Sequence, residues 1–182
     1  MDFDILYAIQ SIRTPFLDDL ILLLTKVTGN YGQIWLALAV ILLLFRKTRV
    51  CGVRIILSYA LVYVLGQMLL KDLIARPRPC HLDETIELLV SRPGSYSCPS
   101  THTAWAFAAA TSIFLRFKKW GIALFVVAAV IGFSRLYLFM HFPTDVLFGA
   151  VLGAAFAVGT YYAVNAVTKK FEKSAVSEES ES

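Results

Sequence analysis

Three stretches of this chain carry residue types that can capture an anion and move a group between oxygen and nitrogen atoms. The first is Lys71-Asp-Leu-Ile-Ala-Arg76-Pro-Arg78-Pro79. Its two prolines stop a helix and hold the chain extended, so three cations gather within a short reach. They can trap an anion, or simply snorkel toward lipid headgroups. The second is Cys98-Pro99-Ser100-Thr101-His102, which directly precedes an apolar run. Free N–H groups at a helix start, with the Ser100 hydroxyl, suit a phosphate; an ordinary Ser/Thr cap beside an incidental histidine is the plainer reading. The third runs from Ser134-Arg135 to His141-Phe-Pro143-Thr-Asp145. Pro143 fits the first position of a helix, which puts Asp145 in its first turn, within reach of the His141 ring. A carboxylate that orients an imidazole is how a nucleophile is held in one tautomer, although such a pair can also just stabilise a turn. Arg135 adds a planar fork for phosphate oxygens.

The elements that position these stretches follow from composition. Of 182 residues, 58% belong to the AVILMFWYC set and 16% are charged. A soluble domain typically has about 45–50% apolar residues even with Gly counted, and about 25% charged. Disorder, a disulfide-rich miniprotein and a soluble globular domain are thereby excluded, and a nucleic-acid-binding stripe has no soluble body to carry it. The expected fold class is all-α: an integral membrane helical bundle with about five to six transmembrane helices. Apolar runs lie at Ile34–Phe45 (extending back toward Tyr31), Val53–Leu70, Ala104–Leu115, Gly121–Phe139 and Val146–Val167. Small residues at four-residue spacing, Gly149/Gly153/Ala157 and Ala104/Ala108/Ser112, suit close helix packing.

Alternating spans sort the basic residues by side. Arg46, Lys47, Arg49 and Arg54, then Arg116, Lys118 and Lys119, then Lys169, Lys170 and Lys173 fall on one face, which the positive-inside rule makes cytoplasmic. Lys71, Arg76, Arg78, Arg92 and Arg135 fall on the other, against the bias, together with both histidines of the second and third stretches. Cations kept against topology point to a task. The expected location is therefore a multi-pass cell (cytoplasmic) membrane protein, with its site at the outward helix ends and a cytoplasmic C-terminus.

Residues 1–30 read as interfacial or re-entrant helices, with a sixth span as the alternative; 31–170 form the transmembrane domain; 171–182 form a polar, disordered tail. No cleavable signal peptide and no internal repeat are evident. Cys80 and Cys98 bracket the outward loop, where they could form a disulfide or stay free, whereas Cys51 is expected free. His81, Asp83, Glu84 and Glu87 match no strong metal motif, and solvated loop charge explains them better.

Taken together, the three stretches resemble the signature of the type 2 phosphatidic acid phosphatase superfamily: Lys-x6-Arg-Pro, Pro-Ser-Gly-His and Ser-Arg-x5-His-x3-Asp. The resemblance covers roughly residues 50 to 165. Lys71–Pro79 and Ser134–Asp145 match without a gap, and Pro99–His102 matches except for Thr101 in place of Gly. That change adds a Cβ near the phosphate but keeps the N–H donor, so activity is expected to survive. The resemblance implies His141 as the nucleophile forming a phosphohistidine, Asp145 as its orienting carboxylate, and His102 as the group that protonates the leaving oxygen and then activates water. It implies that Lys71, Arg78, Ser100, Thr101 and Arg135 hold the phosphoryl oxygens, with no metal and no cofactor. Its implied partners are the bilayer and a lipid-linked phosphate or diphosphate. Undecaprenyl diphosphate is the first choice because the chain resembles bacterial members. Phosphatidate, phosphatidylglycerol phosphate and a lipid A phosphate are the runners-up, and a lipid-phosphate binding or transport protein without turnover is the alternative class.

Overall fold

A computed structural model describes residues 2–170 with their side chains, and the backbone of the last helix beyond them to Glu181. The expectation for the 171–182 tail falls outside the residues described in full. All regular structure among the described residues is helical. α1 is Asp2–Ser11, α2 Pro15–Thr28, α3 Gln33–Leu43 and α4 Arg49–Leu61. A π-helical stretch, Val62–Leu70, continues α4 into the short α5, Lys71–Ile74; α6 is Pro79–Leu82. α7 (Thr101–Phe114), α8 (Lys118–Tyr137) and α9 (Pro143–Glu181) complete the bundle.

Local chemistry sets these limits. Thr14 caps α2 by accepting the Leu17 N–H at 3.3 Å, and Pro15 supplies a first-turn φ without a wasted donor. Gly29, at φ 70°, ends α2. Gly32, at φ 65°, turns the chain into α3, so the two helices meet at a bend of 53°. The segment expected to lie in the interface thus leads directly into the first span, and the pair together is apolar enough to cross. Arg49–Leu82, Lys118–Tyr137 and Pro143–Lys170 are each long and apolar enough to cross alone. α7 is only 14 residues, about 21 Å at 1.5 Å per residue. It is instead the buried axis, with Ala104, Trp105, Ala106, Ala108, Ala109 and Ala110 all nearly inaccessible.

The small-residue expectation holds at the α7–α9 contact. A Cβ on Gly153 would collide with the Ala104 carbonyl, and one on Gly149 with the Ser100 carbonyl. Backbone thus meets backbone, and the α9 start is pressed against the α7 start. One expected flank residue behaves differently. Arg54 is 5% exposed inside the bundle, donating to Asn165 Oδ1 at 2.7 Å and stacked 4.4 Å over the Tyr161 ring. It therefore ties α4 to α9 rather than sitting in the headgroup layer. All three cysteines are free, and Cys80 is buried with its thiol toward Met140 Sδ at 4.0 Å, so of the two alternatives for Cys80 and Cys98 the structure has the unpaired one.

Gly153→Val should force α9 off α7 and destabilise the protein by at least the 1–3 kcal/mol or so typical of overpacking. Gly159→Ala, where nothing lies within 4 Å, should be neutral or slightly stabilising. Thermal midpoints in detergent distinguish the two; equal midpoints would show that the α7–α9 contact is not tight.

Candidate active site

The helix ends at one end of the bundle enclose a cavity of about 670 Å³. Lys71, Arg78, Thr101, His102, Arg135 and His141 line it, so six of the eight site residues expected from sequence meet there. Its other walls are Thr25 and the Gly29–Tyr31 bend, Gln67, and the loop from Val90 to Ser95. No aspartate or glutamate lines it among the described residues.

Arg78 is fixed by the extended Arg-Pro run that follows α5. It donates from Nε to the Ser95 carbonyl at 2.7 Å, from Nη2 to Ser95 Oγ at 3.0 Å and from Nη1 to the Met140 carbonyl at 2.9 Å. Its Nη1 also lies 3.1 Å from His141 Nε2. A guanidinium has no acceptor, so Nε2 must offer its lone pair and the ring proton belongs on Nδ1. Burial, and then the nearby Arg78 cation, push the His141 pKa well below the ordinary imidazole value. A neutral ring with Nε2 directed at a cationic cavity is a competent nucleophile.

Behind the ring, the expected His141–Asp145 contact takes a different form. Nδ1 and Asp145 Oδ2 are 3.9 Å apart, and the Ser97 hydroxyl stands between them, 3.4 Å from Nδ1 and 2.5 Å from Oδ2. The Phe142 N–H reaches the same oxygen at 2.9 Å. Arg76 donates to Asp145 Oδ1 at 2.6 Å and, through Nη2, to Asp2 Oδ2 at 2.9 Å. Asp145 is thus a buried carboxylate with donors on both oxygens, and Arg76, which lies outside the sequence signature, is its ion-pair partner. Nothing in the sequence pattern singles out Ser97.

The remaining expected residues divide. Arg135 is 5% exposed and donates to Thr25 Oγ1 at 2.9 Å, which ties α8 to α2. His102, in the first turn of α7, is 3.0 Å from the Gly29 carbonyl, so Nε2 carries that ring's proton. Thr101 donates to Gln67 Oε1 at 3.0 Å. Ser100 does not line the cavity: it is buried, and its hydroxyl pairs with Thr103 Oγ1 at 3.0 Å. Arg92 also lies away from the cavity, 3.7 Å from the exposed Glu84.

Residues 52–169 match the PAP2 superfamily. The chain belongs to that superfamily. Among its PAP2 relatives, the undecaprenyl-diphosphatase of Sulfolobus acidocaldarius is 32% identical over 139 residues, covering 76% of this chain and 66% of that protein. A lipid A 4'-phosphatase of Bacteroides thetaiotaomicron is 26% identical, covering 94% of this chain and 80% of the other. The structure also resembles a transmembrane PAP2-type phosphatidylglycerolphosphate phosphatase of Bacillus subtilis, with TM-score 0.74 and 28% identity over 91% of this chain and 85% of that one.

Ser97→Ala leaves a buried carboxylate oxygen one donor short and should destabilise the protein by about 1–3 kcal/mol, whereas Ser97→Thr should retain most of the stability. Denaturant or thermal melts in detergent measure this, and an unchanged Ser97→Ala midpoint would show that the bridge contributes nothing.

Proposed function

We propose that this protein is a metal-independent lipid phosphate or diphosphate phosphatase working at the outer leaflet. Its foremost substrate would be undecaprenyl diphosphate, cleaved to undecaprenyl phosphate and inorganic phosphate. The observation that carries this is the cavity's donor set. A neutral histidine faces three cations, Lys71, Arg78 and Arg135, with no carboxylate on the wall. Such a set suits a phosphoryl group, whereas a divalent metal would want oxygen or mixed ligands. Asp145, the one buried carboxylate nearby among the described residues, already has donors on both oxygens.

The chemistry runs in two displacements. His141 Nε2 attacks the terminal phosphorus as the bridging P–O bond breaks; His102, which takes a second proton on Nδ1 when the anionic headgroup binds and raises its pKa, passes that proton to the departing lipid-phosphate oxygen while Nε2–H stays on the Gly29 carbonyl. His102, now neutral and unprotonated at Nδ1, takes a proton from water. The resulting hydroxide attacks the phosphohistidine, releases phosphate and restores His141. The proton on His141 Nδ1 stays within the Ser97–Asp145 bridge, so the charge that develops on the ring is met by a carboxylate one hydroxyl away. Lys71, Arg78 and Arg135, with the Thr101 backbone amide, would stabilise the oxygens of the transferring group. The relative named for undecaprenyl diphosphate supports the substrate order. The names of the Bacteroides and Bacillus relatives keep lipid A phosphate and phosphatidylglycerol phosphate as the runners-up, with phosphatidate beside them.

Purified protein given each of these lipids with EDTA present should release phosphate, fastest from undecaprenyl diphosphate. Loss of release on chelation would overturn the metal-free reading, and no release from any lipid would leave a binding protein. Arg135→Lys should lower kcat/KM by about tenfold or more, because a lysine cannot form the fork; unchanged kinetics would make Arg135 purely structural.

A further inference from the structure

The helix that carries Lys71 also brings to the cavity wall a donor, Gln67, that the mechanism above does not use. Tyr63, Gln67 and Lys71 recur every four residues through the π-helical stretch into α5, a spacing that keeps them on one side of the helix. They form a gradient. Lys71 is 3% exposed, Gln67 is half-buried in the cavity wall, and Tyr63 is 39% exposed on the outer surface of the bundle. Tyr31, another wall residue, meets the Tyr63 ring edge-on at 6.3 Å. This strip therefore leads from the reaction centre out to the bilayer, past two aromatic rings of the kind favoured at membrane interfaces.

Gln67 occupies the middle of the strip, and its amide is oriented. The Thr101 hydroxyl donates to Oε1 at 3.0 Å, and among the described residues Nε2 enters no hydrogen bond. Thr101 neighbours His102, the group placed to protonate the leaving oxygen. A leaving group that follows this strip outward passes Gln67.

We infer that Gln67, held by Thr101, is the subsite for the phosphate that stays on the lipid, so the pocket is built for a diphosphate headgroup. The terminal phosphoryl would sit among Lys71, Arg78 and Arg135. The inner phosphate would accept a hydrogen bond from Gln67 Nε2. A neutral amide suits this second position because it binds an anion that must then leave, where another cation would retain it. Thr101 in place of glycine thereby gains a purpose: its hydroxyl sets the direction of the amide. This inference rests on the phosphatase reading and narrows its substrate class.

The test uses the full chain in detergent with farnesyl diphosphate, farnesyl monophosphate and, as an inhibitor, inorganic phosphate. Gln67→Leu should lower kcat/KM for the diphosphate by about tenfold, the worth of one hydrogen bond to a charged group. The monophosphate should change by less than about twofold, because it makes no use of that bond. Inhibition by inorganic phosphate, which probes the cationic subsite alone, should be unchanged. Gln67→Glu keeps the bond from Thr101 and replaces the donor with a charge, so it should hurt the diphosphate more than Gln67→Leu does. If the monophosphate is too slow to time, the inorganic-phosphate inhibition is the control. Equal losses on both substrates, a shifted inorganic-phosphate constant, or no loss on the diphosphate would overturn the subsite. A wild-type protein that releases phosphate from neither farnesyl compound would instead remove the phosphatase reading itself.

Discussion

A carboxylate with no solvent exposure must find its hydrogen bonds inside the protein, and the site is arranged around that demand at Asp145. Arg76 supplies a cation, Ser97 a hydroxyl and Phe142 a backbone N–H. Each comes from a different part of the chain around the cavity: the Arg-Pro run, the loop before α7, and the turn into α9. Arg76 also reaches Asp2, so α1 is fastened to the same anion. Removing one partner of a buried ion pair generally costs about 3–5 kcal/mol, so these segments cannot separate cheaply. The placement of His141, the proposed nucleophile, is a consequence of this junction. With Asp145 held from below, Ser97 can bridge to His141 Nδ1 while Arg78 faces Nε2.

That junction needs α7 and α9 to start side by side, which is a packing matter. Gly149 and Gly153 let the α9 backbone lie against the Ser100 and Ala104 carbonyls. In lipid, where burial of apolar surface gives helices little reason to associate, such close van der Waals contact is a principal attraction. The same contact delivers Asp145, two residues into α9, beside Ser97 and the first turn of α7. The backbone bond from Ser100 N–H to the Asp145 carbonyl, 3.1 Å, seals the two helix starts together. Fold and site are thus linked by a stripe of small residues.

Much of this was legible in the sequence. Apolar runs marked the helices, and the three polar stretches named the cations and histidines of the cavity wall, because charges and histidines at helix ends stand out against an apolar background. Other features were not legible, for physical reasons. Ser97 is one serine in a serine-containing loop, and only the folded turn reveals that it faces two partners. The role of Arg76 was hidden because its carboxylates, Asp2 and Asp145, are remote in sequence. Ser100 seemed a phosphate ligand from its position ahead of α7, yet its hydroxyl turns to Thr103. Gln67 was invisible because a neutral amide inside an apolar helix carries no periodic signal, and its orientation depends on Thr101. The part of the wall formed by the Gly29–Tyr31 bend could not be foreseen from a segment whose crossing was ambiguous.

The central claim is that His141, held through Ser97 and Asp145, accepts the phosphoryl group. The most direct measurement is a rapid alkaline quench of the enzyme during turnover, followed by peptide mapping by mass spectrometry under conditions that preserve phosphoramidates. The account predicts one added phosphoryl group on the peptide containing His141, absent without substrate. Phosphate on His102 or on any serine, or phosphate release with no enzyme-bound phosphoryl group at any point in turnover, would contradict it.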